Sequence, residues 1–150
     1  MPRIERNAEV VWEGSLARGE GAISASSSGA FTALPYSNAS RIGAPEGKTS
    51  PEELLAAAHG GCFASSLAGE LTRLGHPPGR LELGCRIVMD EVAREGHQIV
   101  GSELSLRVAV DGLDDHTLAR ALELAEEGCP FSTLLKRAGA SVSLSATLAG

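Results

Sequence analysis

The chain carries three cysteines, Cys62, Cys85 and Cys129, and their settings differ. Cys129 precedes proline in "EEGCPFSTLLKRAG". Proline is tolerated at the first position of a helix, which places Cys129 at the N-cap. A sulfur there meets unpaired backbone N–H groups and the positive end of the helix dipole, and both favour a thiolate. The plain alternative is an indifferent cap, since Ser, Asp or Asn would cap better. Cys62 lies inside "PEELLAAAHGGCFASSLAGELTRLG", mid-helix, where the dipole helps little. A thiolate there needs a cation. Arg73 is eleven residues on, about 16 Å along a helix, so the cation must come from elsewhere. Arg41 and Lys48, in the glycine-bearing loop upstream, are the candidates. On periodicity alone Cys62 reads first as a small buried apolar residue. Cys85 falls between Leu83 and Ile87 in period two and reads as an inert core thiol.

His59 and Cys62 are three apart and would share a helix face. Two ligands do not make a metal site, and no CxxC, CxxH or HExxH accompanies them. A thiol hydrolase built on the pair lacks a third group to orient the imidazole. His59 therefore reads as a packing or interface residue. Neither GxGxxG nor GxxxxGKS occurs, and no metal or bound cofactor is expected.

The elements that must position these residues follow from composition and pattern. With 150 residues and 43% apolar content, the chain fits one domain with a real core. Only 3% is aromatic, so that core is built from Ala, Leu, Val and Ile. Small side chains imply close packing of elements and a subunit partner to complete it. The net charge of −6 without a basic patch excludes nucleic acid as the expected partner. An odd cysteine count argues against a disulfide framework. The start "MPRIERNAEV" has no apolar h-region, and nowhere do 18 apolar residues run together without charge. The expected setting is soluble and cytoplasmic, with no membrane contact.

The opening reads as a short antiparallel meander: "AEVVWEGSL", "GAISAS" and "GAFTAL", with glycines at the turns. "PYSNASRIGAPEGKTS" has no periodicity and is a functional-loop candidate. A long helix follows from Pro51 to Leu74, with Ser50 and Glu53 as a capping box and acids in its first turn. Its middle offers no wet face, which a dimer with crossing helices would bury. Gly60 and Gly61 cost about 2 kcal/mol in helix propensity, so either something approaches the backbone there or the small residues serve helix–helix contact, and both readings explain them equally well. "GRLELGCRIVMDEV" and "HQIVGSELSLRVAV" form a long hairpin, with Leu104, Leu106, Val108 and Val110 facing inward. "DDHTLARALELAEEGC" and "PFSTLLKRAG" are helices, and "ASVSLSATLAG" is an edge or final strand. The fold class is α+β with mostly antiparallel sheet. The organisation is one domain over 1–150: strands and active-site loop to residue 50, central helix 51–75, then 79–150.

Taken together, "SRIG", "SPEELLAAAHGGCFASSL" and "EEGCPFSTLLK", with the early "VVWEGSLARGEGAIS", resemble the OsmC/Ohr family of organic hydroperoxide reductases, OsmC-like branch. The PEELL-x₆-CF and GCPxSxxLK blocks are together highly specific, and the resemblance spans nearly the whole chain. It implies an OsmC-like fold, with sheets packed around a long central helix in an intertwined homodimer. It also implies a thiol-dependent peroxidase of the stress response, acting on organic hydroperoxides. By resemblance Cys62 is the peroxidatic cysteine and Cys129 the resolving one, joined in a redox-active disulfide. Arg41 is the arginine that stabilises the thiolate, and Glu52 orients it. The Ohr branch draws its arginine from an early loop, where Arg18 lies here; the "PYSNASR" block favours Arg41. An external dithiol, a lipoylated protein in the Ohr branch, is the implied reductant.

Glu52 and Cys62 are ten residues apart, about 15 Å along one helix. An arginine held by Glu52 is therefore expected to serve Cys62 of the other subunit, giving composite sites in the dimer. Phe63, Phe131, Leu55 and Leu135 are available as an apolar wall for an alkyl tail. The rival reading is a non-catalytic dimeric stress or binding protein with structural cysteines.

Overall fold

The computed structural model describes residues 2–149. The chain falls into two compact units that meet in sequence at Pro51 and Glu52.

The first unit is a three-stranded antiparallel meander, β1 (Glu9–Glu13), β2 (Glu20–Ser24) and β3 (Leu34–Tyr36), followed by the short helix α1 (Asn38–Ile42). Two sequence expectations are corrected here. The third strand is not "GAFTAL": pairing with β2 begins only at Leu34, opposite Ile23. Residues 25–33 instead close a loop on themselves, with Ala25 N–H donating to Phe31 O and Ala33 N–H to Ser24 Oγ. Ala33 there takes a positive φ of 53°. Nor is Arg41 on an irregular loop. Ser37 caps α1 and exchanges hydrogen bonds with Ser40 in a serine version of the capping box, which suffices to start one helical turn. Pro35 is accommodated because β3 is an edge strand.

The second unit holds α2 (Pro51–Arg73), β4 (Arg80–Val92), β5 (Gly96–Ala109), α3 (Asp115–Gly128), α4 (Pro130–Arg137) and β6 (Ser141–Leu148). α2 ends one residue before the expected Leu74 and is about 35 Å long. β4 and β5 form the long antiparallel hairpin, with a register shift between Val88 and Met89. β6 adds to the free side of β5 and runs parallel to it. A parallel neighbour needs a crossover rather than a tight turn, and α3 with α4 supplies it. The remaining strand pairs are antiparallel, in keeping with the α+β reading.

Alternation along the strands sends one face inward. Leu104, Leu106 and Val108 of β5 are buried, and Leu81 and Leu83 of β4 and Leu144 and Ala146 of β6 pack around them. α2 contributes Phe63, Leu67 and Leu71, and α3 contributes Leu118, Ala121 and Ala125 at helical spacing. Cys129, between α3 and α4, completes this cluster. The buried positions of α2 follow one stripe, His59, Gly60, Phe63, Leu67, Glu70 and Leu71, while Ala57, Gly61, Ser65 and Gly69 are exposed in the chain by itself. Gly60 has a local reason: a Cβ there would meet Leu83 Cδ2 at 3.2 Å and Cys85 Cβ at 3.5 Å. Among the described residues nothing lies within 4 Å of a Cβ built on Gly61. No helix among the described residues is long and apolar enough to cross a membrane.

Candidate active site

Cys129 is the C-cap of α3 and the N-cap of α4 at once, because Pro130 forces the chain to end one helix and permits it to begin another. Its sulfur accepts from the backbone N–H of Ser132 at 3.5 Å. Cys62, midway along α2, faces the same helix start. The two sulfurs are 3.4 Å apart, within hydrogen-bond distance, and both cysteines are free thiols. The backbone N–H of Phe131 donates toward Cys62. The first turn of α4 thus addresses both sulfurs with main-chain donors, on residues 67 apart in sequence.

These donors do not dominate the electrostatics of Cys62 within one chain. Burial pushes its thiol up, the hydrogen bond it shares with Cys129 adds to that by favouring protonated Cys62, and the Phe131 N–H opposes both only in part. Cys62 is half-buried and Cys129 is fully buried.

Arg41 is exposed and lies in the last turn of α1 in the first unit. Glu52 lies in the first turn of α2 and Cys62 ten residues further along that helix, about 15 Å away along its axis. Of the four residues expected at the site, Cys62 and Cys129 are brought together. Of the proposed apolar wall, Phe63 and Leu135 are core, while Leu55 and Phe131 keep partial exposure.

One constellation was not foreseen. His59, one turn before Cys62, is fully buried, with Nδ1 at 2.6 Å from Ser102 Oγ and Nε2 at 2.8 Å from Ser132 Oγ. Both serines are fully buried as well. Ser102 Oγ also lies 3.3 Å from Cys85 Sγ, so Cys85 borders a polar cluster and is only half-buried. Burial lowers the His59 pKa, opposed by the charge of Glu126, and favours the neutral ring. A signal existed for each serine. Ser102 is in phase with Leu104 and Leu106 on the inward face, and Ser132 is third in a helix whose cap is a cysteine.

Fold and site together define an α+β protein with a proximal pair of free thiols at a helix start. Comparison with known proteins gives that class its family. The model of the OsmC-like protein family matches residues 43–145, and the chain belongs to that family, as the sequence blocks implied. It is 35% identical over 133 residues to the peroxiredoxin OsmC of Escherichia coli (strain K12), covering 89% of this chain and 91% of that protein. Solved structures share the fold. The organic hydroperoxide resistance protein OsmC of Legionella pneumophila superposes with a TM-score of 0.71 at 20% identity, covering 98% of this chain and 99% of that one. The organic hydroperoxide resistance protein OhrB of Bacillus subtilis gives 0.70 at 22% identity, covering 94% of this chain and 98% of that one.

Proposed function

We propose that this protein is a cysteine-based peroxidase that reduces organic hydroperoxides to alcohols. The observation that carries the reading is the pair of free sulfurs 3.4 Å apart at the start of α4. The names of the Escherichia coli, Legionella pneumophila and Bacillus subtilis relatives support the reaction class and the substrate.

In this mechanism the Cys62 thiolate attacks the terminal oxygen of ROOH. The O–O bond breaks, its electron pair leaves with the alkoxide, and a proton converts that to ROH. Cys62 is now a sulfenic acid. Cys129 attacks it, the S–O bond breaks, and the oxygen leaves as water while a Cys62–Cys129 disulfide forms. An external dithiol then exchanges with that disulfide and is itself oxidised, restoring both thiols. A lipoylated protein is the proposed physiological dithiol, and the three free thiols suit a reducing cytoplasm.

Arg41 stabilises the Cys62 thiolate and the departing alkoxide, and Glu52 holds Arg41 in aim. We assign both to the mate of the subunit that carries Cys62. Two facts support a donated arginine: the local groups leave the Cys62 thiol above its ordinary range, and Glu52 is about 15 Å down the same helix. Randomly paired Cys62→Ser and Arg41→Ala chains, each inactive alone, should then recover about a quarter of wild-type activity, because one site in each mixed dimer is intact. No recovery in verified mixed dimers would put the arginine in the same chain as its cysteine.

The direct test is consumption of cumene hydroperoxide with dithiothreitol by the wild type, Cys62→Ser and Cys129→Ser. The wild type should turn over and Cys62→Ser should not. Without dithiothreitol, Cys129→Ser should consume about one peroxide per site in reaching the sulfenic acid, and a second only on overoxidation to the sulfinic acid. Full activity in Cys62→Ser would refute the mechanism.

A further inference from the structure

The peroxide chemistry uses Cys62 and Cys129 but not the buried cluster behind them. His59, Ser102 and Ser132 are each fully buried, and each comes from a different element: α2, β5 and α4. Three polar side chains in such a place carry a desolvation cost unless every group is paired. One arrangement of protons pairs them all. The Ser132 hydroxyl donates to His59 Nε2, His59 Nδ1–H donates to Ser102 Oγ, and the Ser102 hydroxyl donates to Cys85 Sγ. The reverse tautomer would have Nε2–H donate to Ser132 and leave the serine proton without an acceptor among the described residues. The cluster therefore has a direction, and it begins on α4.

Ser132 is where that direction matters. Its side chain is held by His59, while its main-chain N–H donates to Cys129 Sγ. The adjacent N–H, that of Phe131, favours the Cys62 thiolate. His59 and Cys62 are one turn apart on α2. A single imidazole thus ties the first turn of α4 to the stretch of α2 that bears the other sulfur, and anchors both to β5 through Ser102.

Resting on the peroxidase reading for its biological meaning, we propose that His59 is a positioning residue for disulfide closure. By gripping Ser132 it keeps the start of α4, and with it Cys129, within bonding approach of Cys62. It touches neither peroxide nor the reacting sulfurs. Its effect is on the effective concentration of one thiol at the other.

Equilibration with glutathione tests this without peroxide. In that exchange Cys62 and Cys129 lose two protons and two electrons to glutathione disulfide, which becomes two glutathione thiols. The equilibrium constant has units of concentration and reports how well the pair is held. Ser132→Ala keeps the main-chain N–H and removes only the grip; it should lower that constant about tenfold. His59→Leu should lower it at least as much. His59→Gln, whose amide can reach toward the Nε2 position, should stay within about threefold of the wild type. Thermal unfolding of each reduced variant runs alongside. A cluster that only stabilises the fold would lower the melting temperature and leave the constant at its wild-type value, and that result overturns the inference. If His59→Leu does not fold, Ser132→Ala decides alone. A wild type that forms no Cys62–Cys129 disulfide with glutathione disulfide also overturns it. A wild type that closes the disulfide with glutathione disulfide but ignores cumene hydroperoxide refutes the peroxidase reading and leaves the positioning role to be judged on the same constants.

Discussion

Cys62 and Cys85 are both half-buried thiols on neighbouring elements of one unit, packed against the same core. Their surroundings differ in kind. Cys62 has a second sulfur at 3.4 Å and a main-chain N–H donor from a helix start. Cys85 has a serine hydroxyl at 3.3 Å and an imidazole nitrogen at 3.9 Å. In the proton arrangement that satisfies the cluster, Cys85 accepts from Ser102 and ends a chain of hydrogen bonds. Burial is similar, so burial does not select the reactive thiol. In the proposed mechanism a second thiol at 3.4 Å does, and the helix start provides it. Cys85 also lines a groove beside α2 with Ala57, Gly61 and Leu81, so access does not distinguish the two cysteines either.

Replacing each of the two cysteines in turn has the largest expected effect. Cys62→Ser should lower peroxidase kcat/KM by at least about a thousandfold, since the proposed nucleophile is lost. Cys85→Ser should stay within about threefold, because a hydroxyl can close the cluster that the thiol closes. Comparable losses in both variants would mean that Cys85 belongs to the chemistry.

A medium effect sharpens the contrast through His59, which lies between the two cysteines. Its folded-state pKa is lowered by burial, so the unfolded chain binds the proton more readily. The resulting stability is fully present above the ordinary histidine pKa of about 6.5 and is lost as pH falls toward the lowered folded value. Urea midpoints of the reduced protein should therefore fall on acidification below about pH 6.5, and less steeply in His59→Gln. Identical slopes in the two proteins would show that His59 is not held neutral.

The smallest effect separates the two glycines. Gly60→Ala brings a methyl group to 3.2 Å from Leu83 beside Cys85 and should gain little or lose stability. Gly61→Ala meets nothing within 4 Å among the described residues and should stabilise an isolated subunit by up to about 1 kcal/mol from helix propensity. In the proposed dimer the same substitution tests whether the mate packs there. Denaturation at two protein concentrations reads both, and a Gly61→Ala gain that is independent of concentration would count against close packing at that point.

Much of this was legible in advance because it is local. Pro51 and two acids announce the start of α2, and period two announces β4 and β5. Pro130 alone puts Cys129 at a cap. The sulfur pair joins residues 67 apart, and helix position by itself favoured a filler role for Cys62; only the combined sequence blocks paired it with Cys129. The late start of β3 depended on a loop that satisfies its own backbone, and the parallel β5–β6 pairing on the path of two helices. Neither leaves a periodic trace. The His59 cluster was least visible. A histidine and two serines from separate elements carry no common spacing, and their meaning arises only when three elements converge.

In the proposed mechanism Cys62 and Cys129 form one redox unit from which Cys85 is excluded. Mass spectrometry of the reduced protein after one equivalent of cumene hydroperoxide tests it most directly. A loss of about 2 Da per chain is expected, with a proteolytic fragment in which Cys62 is joined to Cys129 and Cys85 still open to alkylation. An unchanged mass, or a disulfide that includes Cys85, would contradict it.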